Sequence, residues 1–234
     1  LSDALYKTLR LLRCLFRYEV VGLSNLPASG PALLVANHVG STGPIMLFFS
    51  LPVRFHPWVI ADLRDRRRSP AYLLQQFVQP TLHLEGYFGR LLAKLISTIT
   101  VPLLRNLGCV AVETHSTWTG AAFRRSLSLL FHGRNILIFP EDPALSMDPT
   151  TMMYPFKFGF VHLCQMFRER TGLSLPVVPI AVHPFRRLIS IGPVQYYEGN
   201  GYAEAEVAPF ATRLHELVRE LYLNLPAPLR TAST

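Results

Sequence analysis

The chain has 234 residues, of which half are hydrophobic and only 16% charged. That excludes a disordered protein and supplies enough apolar material for a real core. The formal net charge is +8 and the pI about 9.8, which directs attention to nucleic acid, anionic lipid or acidic small molecules as partners. Cys14, Cys109 and Cys164 are too scattered for a disulfide framework or a metal site, and read as core thiols of a reducing, cytosol-facing protein. Mean hydropathy is +0.25, yet no clean run of eighteen apolar residues is evident. The best stretch, 44–61, is broken by Pro52, Arg54, His56 and Pro57. The opening residues lack a signal-peptide cleavage site, so no secretory leader is expected.

The first segment, "LSDALYKTLRLLRCLFRYEV", has helical periodicity. Leu5, Leu9, Leu12 and Phe16 share one face, and Lys7, Arg10, Arg13 and Arg17 gather on another. Such a helix either packs on its own domain or lies in a membrane interface with its bases near lipid phosphates. Strands are expected at "ALLVAN" (32–37), "PWVIA" (57–61), "CVAVE" (109–113), "NILIFP" (135–140) and "VVPIAV" (177–182). Between the third and fourth, "STWTGAAFRRSLSLLFHG" predicts a helix with Ser116 as N-cap and Gly133 just past its end. A second helix is expected over "PFKFGFVHLCQMFRERTG", closed by Gly172. A last one, over "APFATRLHELVRELYLNL", carries Phe210, Leu214, Leu217 and Leu221 on its apolar face, and the tail from Pro226 is expected to fray. This alternation predicts an α/β domain, a mainly parallel central sheet covered by helices.

In such a sheet the reactive groups sit where loops leave the carboxyl ends of strands. Three ends are chemically loaded: Asn37-His38, Glu141-Asp142, and the end of "PIAVHP". A histidine suits general-base activation of a hydroxyl, with an acid to orient the ring. No Asp or Glu occurs between Val20 and Arg54, so an acid for His38 must come from another loop. The remaining histidines, His56, His83, His115, His132, His162, His183 and His215, show no metal spacing.

Several blocks in order resemble the glycerolipid acyltransferase family, of the lysophosphatidic-acid acyltransferase type. They are "VVGLSNLPASGPALLVANHVGSTGPIML", "LGCVAVET", "NILIFPEDPALS", "PFKFGFVHL", "LPVVPIAV" and "ISIGPV". The resemblance implies that His38 takes a proton from an acceptor, which attacks an acyl thioester on CoA or acyl carrier protein. It implies no bound cofactor or metal, and points to Ser41, Thr42, Glu141 and Lys157 as substrate-side residues. One domain is expected, with 1–17 as an interfacial helix, 18–200 as the core and 201–234 as the C-terminal helix and tail.

The departures are specific. The family's first-motif Asp is Gly43, the second block ends Glu113-Thr114 rather than in an acid-arginine pair, and Asp142 stands where Gly is usual. Pro143 and Ala144 occupy the usual hydroxyl and Arg positions. These losses disfavour a phosphate-bearing acceptor and favour a neutral or amine one. Asp142, the unexpected carboxylate, is the preferred replacement acid for His38, ahead of Glu141 and Asp62; an Asx-turn before Pro143 is its plain alternative. The basic run "RDRRRSP", with Arg64, Arg66, Arg67 and Arg68, is either a solvated turn or a contact for anionic headgroups or donor phosphates. No stacking or reader motif for nucleic acid accompanies it. The stretch from "YLLQQF" to "VPLLRN" reads as a helical cover that also lines an acyl groove or dips into lipid.

The expected function is therefore acyl transfer to a lipid-like hydroxyl or amine, by a protein bound peripherally to the cytoplasmic face of a membrane. The alternative is a catalytically silent member that binds lipid or supports a partner enzyme. No feature of the sequence specifies an oligomeric state.

Overall fold

The computed structural model describes residues 18–40, 42–113 and 120–224. The N-terminal amphipathic segment, the Ser116 cap and the tail beyond 224 lie outside these residues. The strands are β1 (Glu19–Val21), β2 (Leu33–Ala36), β3 (Phe55–Ile60), β4 (Val110–Val112), β5 (Asn135–Ile138), β6 (Val177–His183) and β7 (Leu188–Ile191). The α-helices are α1 (Thr42–Ser50), α2 (Ala61–Arg64), α3 (Ser69–Leu73), α4 (Gln79–Leu82), α5 (Gly86–Asn106), α6 (Gly120–Phe131), α7 (His162–Thr171) and α8 (Glu204–Leu223). The described chain falls into two compact units, one spanning 56–126 and the other formed by the residues before and after it.

In the larger unit the strands run in the order β1-β7-β6-β2-β5. β2 and β5 are buried at every position and apolar except for Asn135 at the start of β5, as strands covered on both faces require. Leu33 lies beside Ile136 of β5 and Val177 of β6, both in parallel register. Three neighbouring strands therefore point their carboxyl ends the same way. β7 returns antiparallel to β6, and β1 runs parallel to β7. The sheet is mixed but mostly parallel and carries helices, the α/β class expected from the sequence.

Side-chain alternation along β6 divides the core. Ile180 and Val182 join Leu34, Ala36, Leu137, Ile189 and Ile191 in one cluster that also contains Leu47 and Leu51 from α1 and its end. Ala181, between them, packs instead with Met153 and Val218 of α8. Phe210 and Leu214 of α8 are buried as expected, but the helix begins a turn earlier, at Glu204, and carries Pro209 inside it. Cys109 and Cys164 are free and buried, and burial pushes both thiols up to about 12.

Two expectations need correction. Glu19–Val21 continues no helix; it is an edge strand paired with Leu188–Ser190. Gly22 ends it at a φ of 75°, where an added Cβ would sit 2.2 Å from the Ile191 carbonyl oxygen, so only glycine fits. The helix expected from residue 155 starts only at His162, after a 3-10 turn at Gly159–Val161. Residues 155–157 pair instead with 140–142. Asp142 N–H donates to the Pro155 carbonyl at 2.9 Å, and Lys157 N–H to that of Pro140 at 2.7 Å. The Gly172 stop is as expected, with φ 72° and its N–H capping Arg168 O.

In the smaller unit β3 and β4 pair in parallel, with Trp58 beside Val110 and Ile60 beside Val112. His56 Nδ1 lies 3.0 Å from the Gly108 carbonyl oxygen, and Trp58 Nε1 donates to Ser126 Oγ at 2.8 Å. α5 buries a row of small residues, Gly89, Ala93, Ser97 and Val101, and packs against α3 and the π-turn Leu74–Val78. By length and composition α5 is also the one helix among the described residues apolar enough to cross a membrane. In the sequence this stretch reads as an apolar helical cover rather than a clean span, because Arg90, Lys94 and Pro102 interrupt the apolar run.

The tie between β2 and β6 extends past the strand. The Asn37 side chain is buried; its Nδ2 donates to the Val182 carbonyl at 3.1 Å and its Oδ1 accepts the Val182 N–H at 2.7 Å. Asn37→Ala should orphan both buried groups and cost about 2 kcal/mol, read as a lower urea midpoint at unchanged slope. A loss under about 0.5 kcal/mol would show that this amide is not holding the strand end.

Candidate active site

Because β2 and β5 are parallel neighbours, Asn37-His38 and Phe139-Pro140-Glu141 leave the sheet at one edge. Glu141 joins them. Its Oε1 accepts the His38 backbone N–H at 2.5 Å, and its Oε2 accepts the Tyr154 N–H at 3.0 Å. The carboxylate is thus shared between the loop after β2 and the segment that returns beside residue 141, where Glu141 bridges Phe156. Burial pushes its pKa up, and the two N–H donors partly oppose that rise. Glu141 was expected to face substrate; in the structure both of its oxygens face backbone.

The His38 ring meets Phe139 edge-on, centroids 5.1 Å apart at 84°. One side is open to solvent, but the surrounding protein desolvates the ring enough to lower its pKa below the ordinary 6.5. Among the described residues no carboxylate hydrogen-bonds or ion-pairs with it. Burial thus favours the neutral imidazole, and the ring is placed by packing against Phe139 and by its own backbone.

The expected His38–Asp142 pair does not form. Asp142 Oδ1 accepts the Ala144 N–H at 3.1 Å, the Asx-turn alternative, and takes Lys157 Nζ at 3.3 Å. The local turn and a cation on the adjacent strand-like segment hold the carboxylate away from the ring. Lys157 is correspondingly engaged rather than free for substrate. Asp62, the remoter candidate, pairs with Arg68 at 2.9 Å. Thr42 is the first residue of α1, while Ser41, Lys7, Arg10, Arg13 and Arg17 lie outside the described residues.

Position 43 is open. An added Cβ at Gly43 would meet nothing closer than Val39 Cβ at 3.6 Å and the Asn37 carbonyl oxygen at 3.8 Å, both ordinary contacts.

Of the basic run, Arg68 is committed within its own unit. Its guanidinium spans Asp62 and Glu113, the latter at 3.3 Å, so the acid that ends the second block finds its arginine 45 residues upstream. Asp65 Oδ1 accepts the N–H groups of Arg67 and Arg68 and shapes the turn. The Arg64 carbonyl accepts Arg105 Nε at 2.9 Å. Arg66 and Arg67 are exposed and make no ion pair among the described residues. Sequence reading also missed Asp148. It accepts Arg219 Nε at 2.9 Å and the Thr150 N–H at 2.8 Å, and these contacts hold its carboxyl at about 2. The Asp-Pro-Thr-Thr turn was its available signal. No group of three or more His, Cys, Asp or Glu among the described residues is placed to hold a metal ion.

The two units carry the fold of a glycerolipid acyltransferase, which matches the resemblance read in the motifs. A solved structure similar to this chain is that of the 1-acyl-sn-glycerophosphate (LPA) acyltransferase PlsC from Thermotoga maritima. The TM-score is 0.58 at 16% identity, covering 96% of this chain and 82% of that one. No protein-family model matches the chain, and no curated protein matches it significantly in sequence.

The geometry assigns different duties to the two adjacent carboxylates. Asp142→Asn should leave turnover within about threefold of wild type, because it touches only Lys157 and its own turn. Glu141→Gln turns an NH2 group toward one of the two backbone donors and should lower kcat roughly tenfold or more at little-changed KM. Steady-state kinetics on both variants, with melting curves to verify folding, check this. The reverse ranking would restore Asp142 as the partner of His38.

Proposed function

We propose that this protein transfers an acyl chain from a thioester donor, acyl-CoA or acyl carrier protein, to a neutral hydroxyl or amine on a lipid-like acceptor. The observation that carries this reading is the placement of His38 at the shared carboxyl edge of β2 and β5, its backbone N–H clamped by Glu141. His38 removes the proton from the acceptor as the acceptor oxygen or nitrogen attacks the thioester carbonyl. The tetrahedral intermediate collapses with cleavage of the C–S bond, and the imidazolium returns the proton to the departing thiolate. The ester or amide and the free thiol are the products. His38, Glu141 and Asn37 require no metal and no covalent acyl-enzyme for these steps.

The acceptor preference follows from the cations. Position 144 is Ala, Lys157 is paired with Asp142, and Arg68 is shared by two carboxylates. None offers the bidentate fork that a phosphate monoester selects. The Thermotoga protein is described as acting on LPA; here lysophosphatidic acid is expected to be a poor acceptor. Reaction takes place at the cytoplasmic face of a membrane, which the protein binds peripherally. The absence of a carboxylate on the His38 ring among the described residues also favours a second reading, a silent relative that binds acyl lipid or supports a partner enzyme. Loss of an orienting acid slows a serine-protease triad about 10⁴-fold.

Thiol release from acyl-CoA and acyl carrier protein, measured with a monoacylglycerol, a long-chain amine, lysophosphatidic acid and glycerol 3-phosphate, separates these readings. Transfer to a neutral or amine acceptor that His38→Ala abolishes is the expected result. Preferred transfer to lysophosphatidic acid would overturn the acceptor assignment. No thiol release with any acceptor would favour the silent reading.

A further inference from the structure

The face of α5 opposite its own unit is apolar and uncovered. Phe88, Leu91, Leu95 and Ile99 recur at helical spacing and are 73%, 53%, 59% and 65% exposed. The buried row of Gly89, Ala93, Ser97 and Val101 lies on the other side of the helix. Small residues thus pack inward while large apolar ones point outward, the inverse of a helix that belongs to a soluble core. Just ahead of the helix, Leu82 and Leu84 extend the exposed apolar edge. The stripe is long and contiguous, beyond the scattered exposed leucines usual on a protein surface.

The charges around the stripe select its occupant. α5 contains Arg90, Lys94 and Arg105 and no acidic residue. Arg90 and Lys94 are exposed, and neither makes an ion pair among the described residues. They lie one turn apart and off the stripe, Lys94 on the polar side of the helix and Arg90 in the direction of Ser97 and Val101. Arg66 and Arg67 add further unpaired charge to the same unit. An apolar strip on a helix whose other faces carry cations, with Glu85 just ahead of it as the one nearby acid, complements a surface with hydrocarbon beneath and phosphate above it.

We propose that α5 lies in the plane of an anionic bilayer surface, Phe88, Leu91, Leu95 and Ile99 among the acyl chains and Arg90 and Lys94 at the phosphates. A spanning orientation fits the residues poorly. The helix is about 31 Å long, and Lys94 would sit about 12 Å from its start, well inside the hydrocarbon. The small-residue row is also already buried against the helix's own unit. The proposal deepens the peripheral placement given above and rests on it for the choice of a membrane. Its test uses binding alone, so an inactive protein that binds and an active protein that fails to bind are told apart.

The full chain is incubated with vesicles of phosphatidylcholine containing phosphatidylglycerol, and with phosphatidylcholine alone, and sedimented. Leu91→Ser with Leu95→Ser should lower the partition constant roughly tenfold or more, since each change withdraws several CH2 equivalents from the lipid. Arg90→Glu with Lys94→Glu should abolish the preference for the anionic vesicles. Both pairs are exposed, and unchanged melting curves verify that the fold survives. A Leu95→Trp reporter should shift to the blue on binding and be quenched more by bromines near the headgroup end of the acyl chains than by deep ones. Vesicle binding equal to wild type in both double variants overturns the proposal. Quenching strongest at the bilayer centre overturns it in favour of a spanning helix. A blue-shifted reporter without lipid, together with a dimer in sedimentation velocity, overturns it in favour of a second copy.

Discussion

One carboxylate organises the candidate site. Glu141 reaches from the loop after β5 to the His38 backbone and holds the returning segment through Tyr154. It can do so because β2 and β5 are parallel neighbours whose loops emerge side by side. Remove that pairing, and the histidine loop loses its tie to β5. Asn37 fixes the same loop from the other side by clasping the backbone of β6. His38 is thus located by backbone contacts from both adjacent strands, before its ring makes any contact of its own.

That arrangement answers how a histidine lacking its usual acid stays usable. An acid partner ordinarily selects the tautomer and stabilises the imidazolium. Here the position is supplied by Glu141 and Asn37, and the neutral state is supplied by desolvation. Stabilisation of the cation has no source in the described residues. On the proposed mechanism such a base is well placed but weak, which suits slow transfer from an activated thioester better than fast turnover.

Much of this was legible in the sequence, for identifiable reasons. Continuous apolar runs marked β2, β5 and β6, and parallel connectivity placed Asn37-His38 and Glu141 at one edge. The motif order carried the acyltransferase fold, which the structure repeats. What could not be read was the direction of each carboxylate. Composition at 141 and 142 is nearly the same, yet Glu141 turns toward backbone donors and Asp142 into an Asx turn capped by Lys157. Edge strand β1 was absorbed into the preceding helical pattern because its three residues are too few to show a period of their own. The α5 stripe was masked by charges that interrupt it in sequence but lie on other faces of the helix.

Gly43→Asp tests most directly whether His38 acts as a base without an acid. A Cβ at position 43 meets only ordinary contacts. In the native protein the acidic limb of the kcat/KM–pH profile should fall below 6.5, because burial disfavours the imidazolium. A carboxylate at 43 stabilises the cation, so the limb should move to higher pH while kcat rises roughly tenfold or more. A limb already above 7 in the native protein would reveal a hidden acid partner. A variant with unchanged rate and unchanged limb would contradict the assignment of His38 as the base.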